Sequence, residues 1–192
     1  MKDYIWYLLG MKIMELLEAI KIDRFPCVIS IIGAGGKTST MRLLAKELSL
    51  RGKRIITTTT THLGLDQGLA FGTLILEEDY DKALKGIQQG FQSANVICLA
   101  SREVPGNKIE GIPDYWIKGL LEYGGVDAII VEADGAKGKS FKAPEKFEPV
   151  IPRDNDIVIL VVGIDALNQP VTSKYIHRPE KVLRLLGNRD DG

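Results

Sequence analysis

Four residues carry the chemistry that this sequence can be read for: Lys37, Thr38, Glu132 and Asp134. Lys37 and Thr38 stand in the run Gly33-Ala34-Gly35-Gly36-Lys37-Thr38-Ser39, which follows the apolar stretch Val28–Ile32 and leads into a helix-period segment. Glycines allow a tight turn and bring backbone N–H groups close to an anion without side-chain interference. The first turn of a following helix adds free N–H donors and the positive end of its dipole. A lysine then supplies a point charge for terminal phosphates, and a threonine hydroxyl can ligate Mg²⁺. The run is expected to bind Mg·ATP or Mg·GTP, and nothing in it selects between adenine and guanine.

The spacing narrows this further. The common phosphate loop has glycine five residues before the second glycine, and here that position is Ile31. The loop is therefore the short Gly-x-x-Gly-Lys-Thr form, which resembles that of the Mur-type ligases. A dinucleotide fingerprint fits worse: its third glycine is replaced by Thr38, and the acid expected about 20 residues on is absent from Gly52-Lys53-Arg54.

Glu132 and Asp134 supply the partner such a loop requires. The apolar run Val126–Val131 ends in Glu132-Ala133-Asp134-Gly135. An acid at the end of a buried strand can hold Mg²⁺ beside a phosphate loop, directly or through water. Either acid can take that role at this stage; in a Mur-like arrangement Glu132 binds metal, and Asp134 orients or deprotonates a nucleophile.

Further candidates lie where a sheet would present its carboxyl edge. The segment Arg54–Thr57 runs into five consecutive threonines, Thr57–Thr61, and then His62. Hydroxyls of Thr58, Thr59 and Thr60 at that edge can face a substrate or γ-phosphate, although β-branched threonine also suits a plain strand end. His62, Lys108 in the polar loop Ser101–Ile112, and Lys137 in the lysine-rich loop Gly135–Pro152 are candidates for the same contacts. No second ligand accompanies His62 to make a metal site.

The remaining chain must position these groups. Helix period predicts helices over 1–22, Thr38–Leu50, Asp79–Phe91, Pro113–Tyr123 and Pro179–Leu186. Strands are expected at Val28–Ile32, Arg54–Thr57, Thr73–Leu76, Asn95–Ala100, Val126–Val131 and Asp156–Val162. This alternation predicts a three-layer α/β fold of the P-loop NTPase kind, with a mainly parallel sheet of five or six strands. Residues 1–22 are expected as an amphipathic helix, led by Tyr4, Trp6 and Tyr7, appended to a nucleotide-binding domain over 23–192. Asn188-Arg189-Asp190-Asp191 superficially fits a guanine-recognition motif, but it follows a helix rather than a strand.

Composition sets the outer bounds. The 192 residues can bury about 70% of their unfolded surface, and 25 basic residues balance 25 acidic ones. Zero net charge argues against a nucleic-acid binder working through a basic field. Cys27 and Cys98 form no metal or disulfide pattern, and the N-terminal uncharged run Tyr4–Met11 is too short to span a membrane. A cytoplasmic protein is expected, with no membrane partner.

The motifs stand in one order: Gly33–Thr38, Thr57–His62, Val131–Gly138, Lys142-Ala143-Pro144, Glu148–Pro152, Val162–Leu167 and His177–Glu180. Together they resemble the selenium-dependent molybdenum hydroxylase accessory proteins of the YqeC type. The resemblance runs from about Met11 to Leu186, and the Glu-Ala-Asp-Gly-Ala block with Lys-Ala-Pro is its most specific part. It implies a cytoplasmic P-loop protein serving the maturation of those enzymes, with a molybdenum hydroxylase or its cofactor intermediate as partner. It supplies no reaction, and it implies a chain that continues past Gly192. Three activities remain open: an NTP-hydrolysing factor, a nucleotide-gated binding module, and a Mur-like ATP-dependent ligase or phosphotransferase.

Overall fold

In the computed structural model, which describes residues 15–187, apolar runs and amphipathic segments alternate into a three-layer α/β fold. The elements are α1 (Leu16–Ile20), β1 (Cys27–Gly33), α2 (Lys37–Leu50), β2 (Ile55–Thr59), β3 (His62–Gly64) and α3 (Leu65–Leu69). Next come β4 (Thr73–Leu76), α4 (Tyr80–Gly90), β5 (Val96–Ala100), β6 (Arg102–Val104), β7 (Lys108–Glu110) and α5 (Asp114–Glu122). The chain continues with β8 (Ala128–Glu132), β9 (Phe141–Lys142), β10 (Ile157–Val161), a 3₁₀ turn (Ile164–Ala166), β11 (Ile176–His177) and α6 (Pro179–Gly187).

The main sheet has six strands in the order β10-β1-β8-β2-β5-β4, all parallel. Its central strands read as continuous apolar runs because both faces are covered. Alternate residues go to opposite sides. Ile29 and Ile31 pack with Leu17, Met41, Leu44 and Leu48 under α1 and α2. Val28 and Ile56 pack with Ala83, Ile87, Trp116, Ile117 and Leu120 under α4 and α5. Trp116 also meets Tyr80 edge-on, with centroids 5.3 Å apart, which locks α5 to the start of α4.

Parallel pairing puts every strand's carboxyl end on one edge, the edge where ligands of open α/β sheets bind. Register then fixes neighbours: Glu132 lies between Ile31 of β1 and Thr59 of β2, and Gly33 lies opposite Val161 of β10. The central connections diverge here, since β1 leads through α2 to β2 while β8 returns past β1 to β10.

Two small sheets sit at this edge. The antiparallel sheet β3-β7-β6 is built from His62–Gly64 and from two stretches of Ser101–Ile112, the segment expected as a polar loop. Leu63 and Ile109 anchor it in the core. Gly111 N–H donates to the Thr61 carbonyl at 3.1 Å and Ser101 Oγ to the Gly111 carbonyl at 2.6 Å, closing it against the end of β2. The second sheet pairs β9 with β11 in parallel, setting His177 opposite Lys142; the long lysine-rich loop is thereby ordered. Of the expected N-terminal helix, α1 is described, with Leu17 buried. Tyr4, Trp6, Tyr7 and the segment Asn188–Asp191 lie outside the described residues. Among the described residues, no helix is long and apolar enough to cross a membrane.

Candidate functional site

The glycine-rich run forms the turn between β1 and α2. Gly33, Gly35 and Gly36 have φ of 94°, 74° and 124°, a region that side-chain-bearing residues avoid. Space is equally restrictive: a Cβ on Gly35 would stand 2.6 Å from the backbone nitrogen of Gly163. Ala34 N–H donates to the Val161 carbonyl at 2.9 Å, pinning the turn to β10. α2 starts at Lys37 with no side-chain cap on Gly36, so its first N–H groups are left for an external acceptor. Gly35 and Gly36 are exposed, and Ser39 lies at the rim.

Lys37 is buried and folded back. Its Nζ donates to the Gly33 carbonyl at 3.0 Å and lies 3.6 Å from Glu132 Oε1 and 3.4 Å from Asp134 Oδ1. Thr38 Oγ1 donates to Glu132 Oε2 at 3.0 Å. Burial pushes the Glu132 carboxyl upward, against the opposing pull of Lys37 and the Thr38 hydrogen bond. A hydroxyl and a carboxylate side by side at the mouth of this glycine-rich turn are hard oxygen donors of the kind Mg²⁺ takes.

Asp134 is placed differently. Its Oδ2 accepts from the Gly33 N–H at 3.0 Å and lies 3.1 Å from Lys142 Nζ, so that oxygen is held by the protein. Its Oδ1 is buried without a hydrogen bond and faces Lys37. Lys142 in turn donates to the Gly135 carbonyl at 2.8 Å and to Glu148 Oε2 at 2.7 Å. Arg178 grips Glu148 with both terminal nitrogens, at 2.8 and 3.0 Å, and its Nε lies 3.2 Å from Glu145. The result is a ladder of alternating charge, Lys37–Asp134–Lys142–Glu148–Arg178–Glu145, running from the glycine-rich turn to the start of α6. It holds the Glu148 carboxyl down at about 2, chiefly through Arg178. His177 beside it is held below its ordinary value by burial and then by the neighbouring Arg178.

A cavity of about 680 Å³ opens over these groups, within the range of small-molecule sites. One wall is Gly35–Ser39 with Glu132; the second carries Thr61, His62, Gln67 and Lys108; the third is Gly135–Lys139. His62, Lys108 and Lys137 thus meet around one space, as their positions at the sheet edge suggest. The threonine hydroxyls do not. Thr58, Thr59 and Thr60 donate to the backbone carbonyls of Leu99 at 2.8 Å, Glu132 at 2.7 Å and Val150 at 2.7 Å. They lace the strand ends together, and Thr61 alone of the run lines the cavity.

Gln67 is the site residue that pattern reading passes over. Its Nε2 lies 3.4 Å from Thr38 Oγ1, while its Oε1 accepts from the Gly64 N–H at 3.0 Å. It sits 29 positions from Thr38 in sequence, inside a glycine-punctuated segment with no periodic signal.

A sequence model described as the YqeC protein matches residues 29–180. The chain belongs to the YqeC family. The matched span contains the glycine-rich turn, both acids and the ladder through Arg178. The family also includes the uncharacterized protein YqeC of Escherichia coli (strain K12), 32% identical over 166 residues. That alignment covers 86% of this chain and 63% of the relative, so the chain spans under two thirds of the relative's length.

Proposed function

We propose that this YqeC-family chain binds Mg·ATP or Mg·GTP across Gly33–Ser39 and hydrolyses it as an accessory factor in the maturation of selenium-dependent molybdenum hydroxylases. The observation that carries the nucleotide part is the convergence of Lys37, Thr38 and Glu132 at the uncapped start of α2. The maturation setting rests on the motif resemblance, and the partner it implies is a molybdenum hydroxylase or its cofactor intermediate.

Each residue has a distinct task. Backbone N–H groups of Gly35–Ser39 receive the phosphates, those of Gly33 and Ala34 being held by Asp134 and the Val161 carbonyl. Lys37 leaves the Gly33 carbonyl for the β- and γ-phosphates, exchanging a neutral acceptor for an anionic one. Thr38 and Glu132 would hold Mg²⁺, which neutralises charge on the phosphates when bound. Asp134 keeps the glycine turn in place through Gly33 N–H and compensates Lys37 until nucleotide arrives. Gln67, within reach of the Thr38 hydroxyl, orients the attacking water, whose proton leaves with the released phosphate. Thr58, Thr59 and Thr60 act as strand-end braces.

Steady-state phosphate release from Mg·ATP and Mg·GTP tests this. Turnover should be abolished in Lys37→Ala and lowered at least tenfold in Gln67→Ala, with nucleotide affinity little changed in the latter. The charge ladder favours a second reading, a nucleotide-gated module with negligible turnover. Tight nucleotide binding without phosphate release, with or without an acceptor, would select it.

A further inference from the structure

The cavity holds more positive charge than a triphosphate at the cradle uses. Lys37, Lys108, Lys137 and Lys139 line it together with His62, against Glu132 as the lining acid, in a protein whose formal net charge is zero. Two of these cations are already engaged: Lys37 by its cage, and Lys139 by the Lys174 carbonyl at 3.3 Å. Lys108 and Lys137 form no ion pair with any described residue, whereas Lys53, Arg102, Lys142, Arg178 and Lys181 each meet a carboxylate.

Two acids on β7 and α3 are committed elsewhere. Glu110, on the same face of β7 as Lys108, is held by Arg102 at 2.7 Å, and Asp66 accepts from the Asn107 amide at 3.1 Å. Lys137 is set by its loop. Its backbone is left-handed at φ 48°, Ala136 beside it is buried, and Lys139 N–H closes the turn on the Ala136 carbonyl at 3.0 Å. Two ammonium groups on separate elements thus border one concavity, where low-dielectric walls concentrate their field. A solvated surface lysine needs neither a shared cavity nor a fixed loop.

We propose that Lys108 and Lys137, with His62 beside them, form a second oxyanion subsite across the cavity from the cradle, taking a phosphate-type dianion carried by the acceptor or co-substrate. Two unpaired positive charges match a dianion better than a monocarboxylate. The assignment of this anion as a co-substrate rests on the triphosphate reading; the subsite itself does not.

Inorganic phosphate is the probe. It is titrated calorimetrically into the full chain saturated with Mg²⁺ and a non-hydrolysable ATP or GTP analogue. One phosphate should bind per chain, and Lys108→Ala/Lys137→Ala should weaken it by at least about tenfold while changing analogue affinity less than about threefold. No phosphate uptake by the wild-type complex would overturn the proposal. So would a double variant that loses the analogue as strongly as Lys37→Ala does, since both lysines would then be triphosphate ligands. Acetate displacing phosphate at equal concentration would overturn the choice of a dianion. If the wild-type chain takes no analogue, the triphosphate reading fails by itself. Phosphate is then titrated into the bare chain: binding lost in the double variant but kept in Lys37→Ala upholds the subsite, and any other pattern overturns it.

Discussion

Thr38 donates its hydroxyl to Glu132 across 3.0 Å, joining the first turn of the helix after the glycine-rich loop to the end of the central strand β8. Asp134, two residues further on, is bound instead to the Gly33 N–H and Lys142. That division separates two acids that the sequence leaves equivalent, and it has consequences that can be measured.

Glu132→Gln and Thr38→Ala should remove the Mg²⁺ dependence of nucleotide binding. With Mg²⁺, each variant should bind at least about tenfold more weakly than wild type, and with a chelator the difference should vanish. Equal Mg²⁺ enhancement in wild type and Glu132→Gln would place the metal on another residue.

Asp134→Asn should act first on stability. It removes one of the two carboxylates facing each buried lysine, leaving Lys37 with Glu132 and Lys142 with Glu148, a loss of about 3 kcal/mol. For a chain of this size that lowers Tm by on the order of 10 °C, with Lys142→Met producing a similar fall. Thermal melts by circular dichroism, without nucleotide, check this. An Asp134→Asn melt matching wild type would contradict the ladder.

Glu148 predicts an acid signature. Its carboxyl sits at about 2 in the fold against 4.5 for the free group, so folding favours the charged form. The stability this adds is complete above pH 4.5 and is lost as pH falls towards 2. At pH 7 Glu148→Gln should be less stable than wild type, by about 2 kcal/mol after allowing for the partial exposure of the pair. Between pH 4.5 and 2 the two should converge. Denaturant titrations at pH 7, 4 and 2.5 follow the gap, and a constant gap would contradict the assignment.

Much of the fold could be read from residue pattern. Val28–Ile32 and Val126–Val131 are bare apolar runs because β1 and β8 are central parallel strands covered on both faces, and the sheet's six strands match the expected segments closely. The small sheets were not legible in the same way. Arg102–Val104, His62–Gly64 and Lys108–Glu110 are three-residue strands, too short for a period, and the pairing of His62–Gly64 with Lys108–Glu110 joins residues more than 40 positions apart. The site shows the same contrast. Gly33–Thr38 can be read because its chemistry is local. The threonine run was ambiguous because the same hydroxyl serves a ligand or a neighbouring carbonyl, and only the positions of Leu99, Glu132 and Val150 decide. The roles of Lys142, Glu148 and Arg178 emerge only when β9 pairs with β11.

The central claim is that Gly33–Ser39 is a triphosphate cradle with Lys37 as its mobile cation. Calorimetric titration of Mg·ATP and Mg·GTP into wild type and Lys37→Ala, each shown folded by circular dichroism, tests it most directly. One or both nucleotides should bind wild type, and Lys37→Ala should weaken that binding about tenfold to a hundredfold. Binding of neither nucleotide by wild type, or the same affinity in both proteins, would contradict it.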